Sequence, residues 1–174
     1  MSDTGKAFTL QGPRDLLEKL DYDITRLARM HTTDERLVSF AALDCAVDAW
    51  SLVDWVWEWL VQNGRELALA EPQRDRGDFI KEIQHFIPTL STCRQLATGA
   101  KHFRVRQGNR EDVFTGVEAP DLNAPDNLFF AHRRFARAWV LEGSEGSEAY
   151  RLFERTKLDW IAYLDANRID IRSG

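Results

Sequence analysis

Arg94 and His102 are the residues of this chain whose types best suit chemistry on a phosphate, and Lys101 lies directly beside the histidine. An arginine guanidinium binds phosphate oxygens in a bidentate manner, and histidine is the side chain that titrates near neutral pH. Together they supply a phosphate ligand and a general acid or base. The segment therefore predicts metal-free RNA cleavage, in which the 2′-hydroxyl of the RNA attacks the neighbouring phosphodiester.

The helical character of this segment limits how the two residues can meet. On an unbroken helix, Arg94 and Lys101 lie nearly in line and roughly 10 Å apart, and His102 lies roughly 12 Å from Arg94. One phosphodiester cannot touch both Arg94 and His102 in that form. Their convergence requires a bend at Gly99, where glycine permits unusual backbone angles, or two copies of the segment that face each other in a dimer.

An arginine followed by a histidine near a helix end resembles the motif of the HEPN superfamily (higher eukaryotes and prokaryotes nucleotide-binding). Its members are helical bundles that often dimerise through the motif helices, and many are metal-independent ribonucleases of toxin–antitoxin or phage-defence systems. The resemblance implies that Arg94 holds the phosphate and that His102 is the general acid or base. The spacer is longer here than is usual in the family, and Gln95 replaces a frequent Asn, Asp or His. The chain also resembles bacterial and phage proteins with an Asn-Gly-x-Lys-His-like stretch, in its long helix, its fourth helix and its Lys-His segment. This second resemblance does not point to any particular activity.

A run of basic residues surrounds the motif. Between positions 94 and 110 the chain has no acidic residue and five basic ones, namely Arg94, Lys101, Arg104, Arg106 and Arg110. Basic side chains bind nucleic-acid backbones electrostatically, so the last four are candidate RNA contacts. The formal net charge of −5 argues against a general nucleic-acid coat. Two other interpretations remain open: a solvated strand face for the arginines, and a helix C-terminal cap for the Lys-His pair.

The tryptophan-rich second helix favours an alternative function, a non-catalytic module that binds a protein partner. Trp50 and Trp57 belong to one apolar stripe of this helix, whereas Trp55 and Trp59 lie on another. A helix that is apolar over so much of its girth is either central or paired with a second chain. Trp55 and Trp59 are therefore candidate interface residues, for a homodimer or for another protein.

A third candidate is a carboxylate and histidine metal site in the helical bundle. Glu82 and His85 have the Glu-x-x-His spacing that bundle metal sites use, but the chain has only one such motif. The long helix offers Asp44, Asp48, Asp54 and Glu58, which are better explained as its solvated side. We therefore assign no metal ligands and expect no cofactor.

Hydrophobic periodicity predicts a mainly helical bundle of about five helices, with a small antiparallel β-hairpin inserted between the fourth and last helices. The predicted helices cover about residues 13–30, 33–62, 78–87, 89–99 and a last stretch ending near 168, whose apolar face includes Leu158, Ile161 and Leu164. Thr32 and Glu35 have capping-box spacing at the start of the second helix. Alternation predicts strands at 103–107, 113–118, 135–141 and 149–153, so β structure is confined to about residues 103–153.

Length and composition fit one domain over residues 1–174, with 44% hydrophobic residues. Cys45 and Cys93 lie inside apolar helical patterns and are expected to be reduced core thiols. The N-terminus lacks the apolar run of a secretory signal, and no window resembles a membrane span. These features predict a cytoplasmic protein that does not enter the membrane.

Overall fold

The computed structural model describes residues 10–64, 75–101, 113–121, 123, 134–142 and 145–167. Within these residues the chain forms a helical bundle with a small antiparallel sheet between its fourth and last helices, as the sequence predicted. The elements are α1 (Pro13–Ala28), α2 (Glu35–Gln62), α3 (Arg76–Phe86), α4 (Leu90–Lys101), β1 (Val113–Glu118), β2 (Arg137–Glu142), β3 (Glu145–Glu148) and α5 (Ala149–Ala166).

Helix α2 is the centre of the bundle, because α1, α4 and α5 all pack against it. Its small and β-branched residues, such as Ala46, Ala49 and Val53, are fully buried and let the neighbouring helices approach closely. The predicted capping box is wrong: Asp34 is the N-cap and accepts a hydrogen bond from the Arg36 backbone N–H, while Thr32 Oγ1 accepts one from the Asp34 N–H. A carboxylate at the N-cap also faces the positive end of the helix, which favours this arrangement.

The three strands form one antiparallel sheet in the order β1-β2-β3. Gly116 of β1 pairs with Trp139 of β2, and Val140 of β2 pairs with Ser147 of β3. The predicted strand at 149–153 is wrong, because these residues are the first turns of α5. Ala149, Leu152 and Phe153 are buried with helical spacing, so their contacts with the bundle decide the conformation. The predicted strand at 103–107 lies outside the described residues.

Helix α5 closes the bundle with its largest aromatic side chains. Trp160 is fully buried, and its Nε1 donates a hydrogen bond to the carbonyl oxygen of Ala49 in α2 at 3.3 Å. Tyr163 packs edge-on against Trp160 with ring centroids 6.2 Å apart. The predicted apolar face is partly wrong: Leu164 is buried, but Leu158 and Ile161 are exposed. In the described part of the chain, no helix is long and apolar enough to cross a membrane.

Candidate nucleic-acid interface

Arg94 lies on the exposed side of α4, where this helix packs along α2. Its guanidinium carbon is 5.3 Å from the ring centroid of Trp50, a half-buried residue of α2. Such a cation–π contact positions a guanidinium without consuming its N–H donors. Among the described residues no carboxylate forms an ion pair with Arg94. Arg94 is thus an exposed cation whose recorded contact among the described residues is with an indole ring.

Helix α4 is an uninterrupted α-helix that continues through Gly99 to Lys101. Gly99 is exposed, and no atom lies within 4 Å of the position that a Cβ would occupy there. Packing therefore does not require a glycine at this position. His102, Arg104, Arg106 and Arg110 lie outside the described residues, and for Lys101 only the backbone is described.

A cavity of about 450 Å³ adjoins the second half of α4, and sequence reasoning missed it. It lies between α2, α4, the sheet and the start of α5. Leu43, Leu96 and Phe153 contribute apolar walls, and Arg36 contributes a cation. Gly116 of β1 and Ala138 of β2 also line it, and no pattern in the sequence indicated a cavity at this place. Arg94 itself does not line this cavity.

On the side of α2 that faces α1, charged residues of the two helices form a network of ion pairs. Lys19 Nζ lies 2.8 Å from Asp23 Oδ2 and 2.6 Å from Asp48 Oδ2, and both carboxylates are buried. Arg26 extends the network, with its Nη2 3.1 Å from Asp23 Oδ1 and 2.7 Å from Asp44 Oδ2. The prediction that Asp48 belongs to a solvated side is therefore wrong. A buried acid is retained here because a lysine reaches over it from the neighbouring helix.

Burial perturbs the protonation of this network. Loss of solvation and a hydrogen bond with Asp23 raise the pKa of Asp48 to about 6, although Lys19 opposes the shift. Burial lowers the pKa of Lys19, but hydrogen bonds to Asp23 and Asp48 outweigh it and leave that pKa above its ordinary value. Burial also raises the pKa of the neighbouring Cys45 thiol. The ion pairs of these groups join α1 to α2, so the network is a structural element of the bundle.

Glu82 and most of the α2 carboxylates of the metal hypothesis have other partners. Glu82 accepts a hydrogen bond from the hydroxyl of Tyr163 at 3.1 Å, and His85 is exposed. Asp54 forms an ion pair with Arg76 of α3. Among the described residues, no group of three or more His, Cys, Asp or Glu side chains is placed to hold a metal ion. Glu82 and His85 therefore do not face the set of buried carboxylates that the hypothesis needs.

Trp55 and Trp59 are both half-buried, and they line a common groove of about 350 Å³. The other wall of the groove is the segment that leads into α1, from Leu10 to Pro13. Trp57, by contrast, turns toward α3 and packs on Phe79 with ring centroids 5.5 Å apart. The two tryptophans that the sequence separated from the core stripe are thus the two that share a surface groove.

No family model, curated protein or solved structure matches this chain.

Proposed function

We propose that this protein is a HEPN-like RNA-binding domain in which Arg94 binds a backbone phosphate and His102 cleaves the RNA without a metal. The observation that carries the proposal is the setting of Arg94. Its guanidinium is held against Trp50 on the exposed side of α4, with no carboxylate of the described residues paired to it. Arginine in such a setting is suited to bidentate phosphate recognition.

Most other cations near α1, α2 and α5 are already neutralised by an acid. Lys19, Arg26 and Lys157 each form an ion pair with an aspartate, and Arg137 forms one with Glu148. A cation paired in this way must lose its partner before it binds a phosphate. Among the described residues Arg94 has no carboxylate partner to lose, which supports it as the phosphate ligand.

The chemistry follows from the residue types. A neutral histidine at position 102 would accept the proton of the RNA 2′-hydroxyl as this oxygen attacks phosphorus, and a protonated histidine would return a proton to the leaving 5′-oxygen. Arg94 would stabilise the negative charge that grows on the phosphate oxygens. Lys101, Arg104, Arg106 and Arg110 would bind neighbouring phosphates along the strand.

The uninterrupted course of α4 to Lys101 supports a site built by two copies of the chain. If the same helix continued to His102, Arg94 and His102 of one chain would be about 12 Å apart. A homodimer in which two α4 helices face each other would place the arginine of one copy beside the histidine of the other. Light scattering at micromolar protein concentration should then report about twice the mass of one chain.

Cleavage assays on single-stranded RNA, with EDTA present, test the proposal. His102→Ala should lower the cleavage rate by about 10²–10⁴-fold and leave RNA binding intact, because it removes only proton transfer. Arg94→Ala should weaken both RNA binding and RNA cleavage. The control is Arg155→Ala, which removes an exposed arginine from a different helix, α5, and should change neither. The proposal fails if the wild type neither binds nor cleaves RNA, or if Arg94→Ala and Arg155→Ala behave alike.

A non-catalytic protein-interaction module is the second candidate, and the groove beside Trp55 and Trp59 favours it. Two half-buried tryptophans on one surface are typical anchors for a partner. This function does not require His102 or the basic run. An RNA-inactive wild type whose groove binds a polypeptide would support this candidate in place of the first.

A further inference from the structure

The groove between α2 and the segment that leads into α1 combines aromatic walls with negative charge. Trp55 and Trp59 lie one helical turn apart on α2, and Asp54 and Glu58 each immediately precede one of them. All four line the groove, together with Gln11 and Pro13. An indole face attracts a cation through its quadrupole, and an adjacent carboxylate adds a charge-assisted hydrogen bond. The lining therefore favours a positively charged occupant.

The end of helix α2 adds a second source of negative potential. The groove extends to Gln62, the last residue of this helix, and the last turn of α2 contains no basic residue. The C-terminal end of a helix carries a partial negative charge, which a lysine or arginine in the last turn commonly offsets. Here a cation bound between Trp59 and Glu58 would offset that charge.

The chain itself shows that a guanidinium suits this row of acids. Arg76 of α3 forms an ion pair with Asp54. The hydrogen bond that Arg76 donates to Asp54, the charge of Asp54 and, more weakly, the charge of Glu58 raise the pKa of Arg76 above its ordinary value. Glu58 is exposed, and among the described residues no cation forms an ion pair with it. One of the two acids is thus already used by an arginine, and the other remains for an incoming one.

We propose that this groove, lined by Trp55, Trp59 and Glu58, binds an arginine side chain of a partner polypeptide. The flat guanidinium stacks on an indole and donates a pair of hydrogen bonds to the Glu58 carboxylate, which an ammonium group cannot match in geometry. A cavity of about 350 Å³ exceeds the size of one guanidinium and leaves room for flanking peptide. A free arginine would bring its own carboxylate toward Asp54, Glu58 and the helix end, so a polypeptide is the favoured source.

The proposal is independent of RNA binding through α4 and is tested by NMR on the full chain. The indole Nε1–H signals of Trp55 and Trp59 are assigned from Trp55→Phe and Trp59→Phe spectra. The protein is then titrated with N-acetyl-Gly-Arg-Gly-amide, and with the same peptide carrying lysine or citrulline in place of arginine. The arginine peptide should shift the two signals saturably, the lysine peptide should bind more weakly, and the neutral citrulline peptide should bind least.

Two variants locate the site. Glu58→Gln, a change at an exposed position that preserves shape, should weaken the arginine peptide by about threefold to tenfold. Glu154→Gln, the matched change on the exposed side of α5, should leave its affinity unchanged. Tyr22→Ala removes an exposed aromatic outside the groove and should likewise have no effect. If Trp55→Phe perturbs the fold, the Glu58→Gln comparison still decides.

Several results would overturn the proposal. One is the absence of any saturable shift with the arginine peptide. Another is equal binding of the citrulline peptide, which would show an apolar groove indifferent to charge. Equal or tighter binding of free L-arginine would reject a polypeptide as the source. An unchanged affinity in Glu58→Gln would place the bound cation elsewhere.

Discussion

The two long sides of α2 treat charge in opposite ways. On the side that faces α1, the Nζ atom of Lys19 lies 2.8 Å from Asp23 Oδ2 and 2.6 Å from Asp48 Oδ2, and both carboxylates are buried. On the side that faces α4, Arg94 is exposed and rests on the indole of Trp50. The first arrangement neutralises charge within the protein, whereas the second leaves a positive charge oriented toward solvent.

This difference distinguishes structural charges from candidate functional ones. Removing one member of a buried ion pair leaves an uncompensated charge, so residues of the α1–α2 network should matter for folding. An exposed cation held by an aromatic face contributes little to stability. Variants on the two sides should therefore separate effects on stability from effects on binding.

Lys19→Met should produce the largest loss of stability. It leaves the buried carboxylates of Asp23 and Asp48 without their shared cation, and we expect the free energy of unfolding at pH 7 to fall by about 2–4 kcal/mol. Urea denaturation measures this change. Arg14→Met is the matched control, because it removes an exposed ion pair with Glu18 on the same helix and should leave the denaturation midpoint nearly unchanged. Equal losses in the two variants would mean that the α1–α2 network is no more structural than the surface.

Asp48→Asn should alter how stability depends on pH. Because the folded pKa of Asp48 is about 6 and its ordinary value is 3.8, the folded protein binds a proton between these values that the unfolded chain lacks. This group therefore stabilises the wild type progressively as the pH falls from above 6 to below 4, by about 1–3 kcal/mol relative to the Asn variant. The comparison is made by urea denaturation of both proteins between pH 4 and pH 8.

Several charged groups surround Asp48 and contribute to its raised pKa, so the control must be an acid outside this network. Lys19, Asp23 and Arg26 of α1 face Asp48 or its partners, with Asp44 and Cys45 on α2 itself. Asp21→Asn, at an exposed acid of α1 that pairs with Lys157 of α5, should keep the pH dependence of the wild type. Parallel stability curves for the wild type and Asp48→Asn would contradict the proposed protonation.

Arg94→Leu should have the smallest effect on stability and thereby sharpens the contrast. The variant loses one exposed cation–π contact with Trp50, and we expect the free energy of unfolding to fall by only about 0.5–1 kcal/mol. Urea denaturation at pH 7 again measures it. A loss as large as that of Lys19→Met would make Arg94 a structural residue and would remove the main support for phosphate binding.

The sequence predicted the helices well where periodicity was long and clearly terminated. Asn63-Gly64 ended α2 as expected, with Gly64 in the left-handed region at φ 61°. It failed where packing competed with a local pattern. Residues 149–153 were predicted as part of a hairpin but are the first turns of α5. On that helix Trp160 and Tyr163 are buried, whereas Leu158 and Ile161 are exposed.

The candidate site was predictable in part. Lys101 is the one other charged residue of α4, and among the described residues no carboxylate forms an ion pair with Arg94, as the lack of acids from position 94 to 110 suggested. The depth of Asp48 was not predictable, because burial of an aspartate depends on a lysine that lies 29 residues away in the sequence. Long-range charge partners of this kind are invisible to helical periodicity, which describes one element at a time.

The two free cysteines are internal probes of local opening in the bundle. Cys45 and Cys93 are both fully buried, the first beside the charges of α1 and α2 and the second on α4, with its sulfur 3.9 Å from Thr156 Oγ1 of α5. A thiol reagent can modify either only when the surrounding helices separate, so each labelling rate reports an opening free energy. One chain thus offers two timed reporters, one for the departure of α1 and one for the parting of α4 from α5.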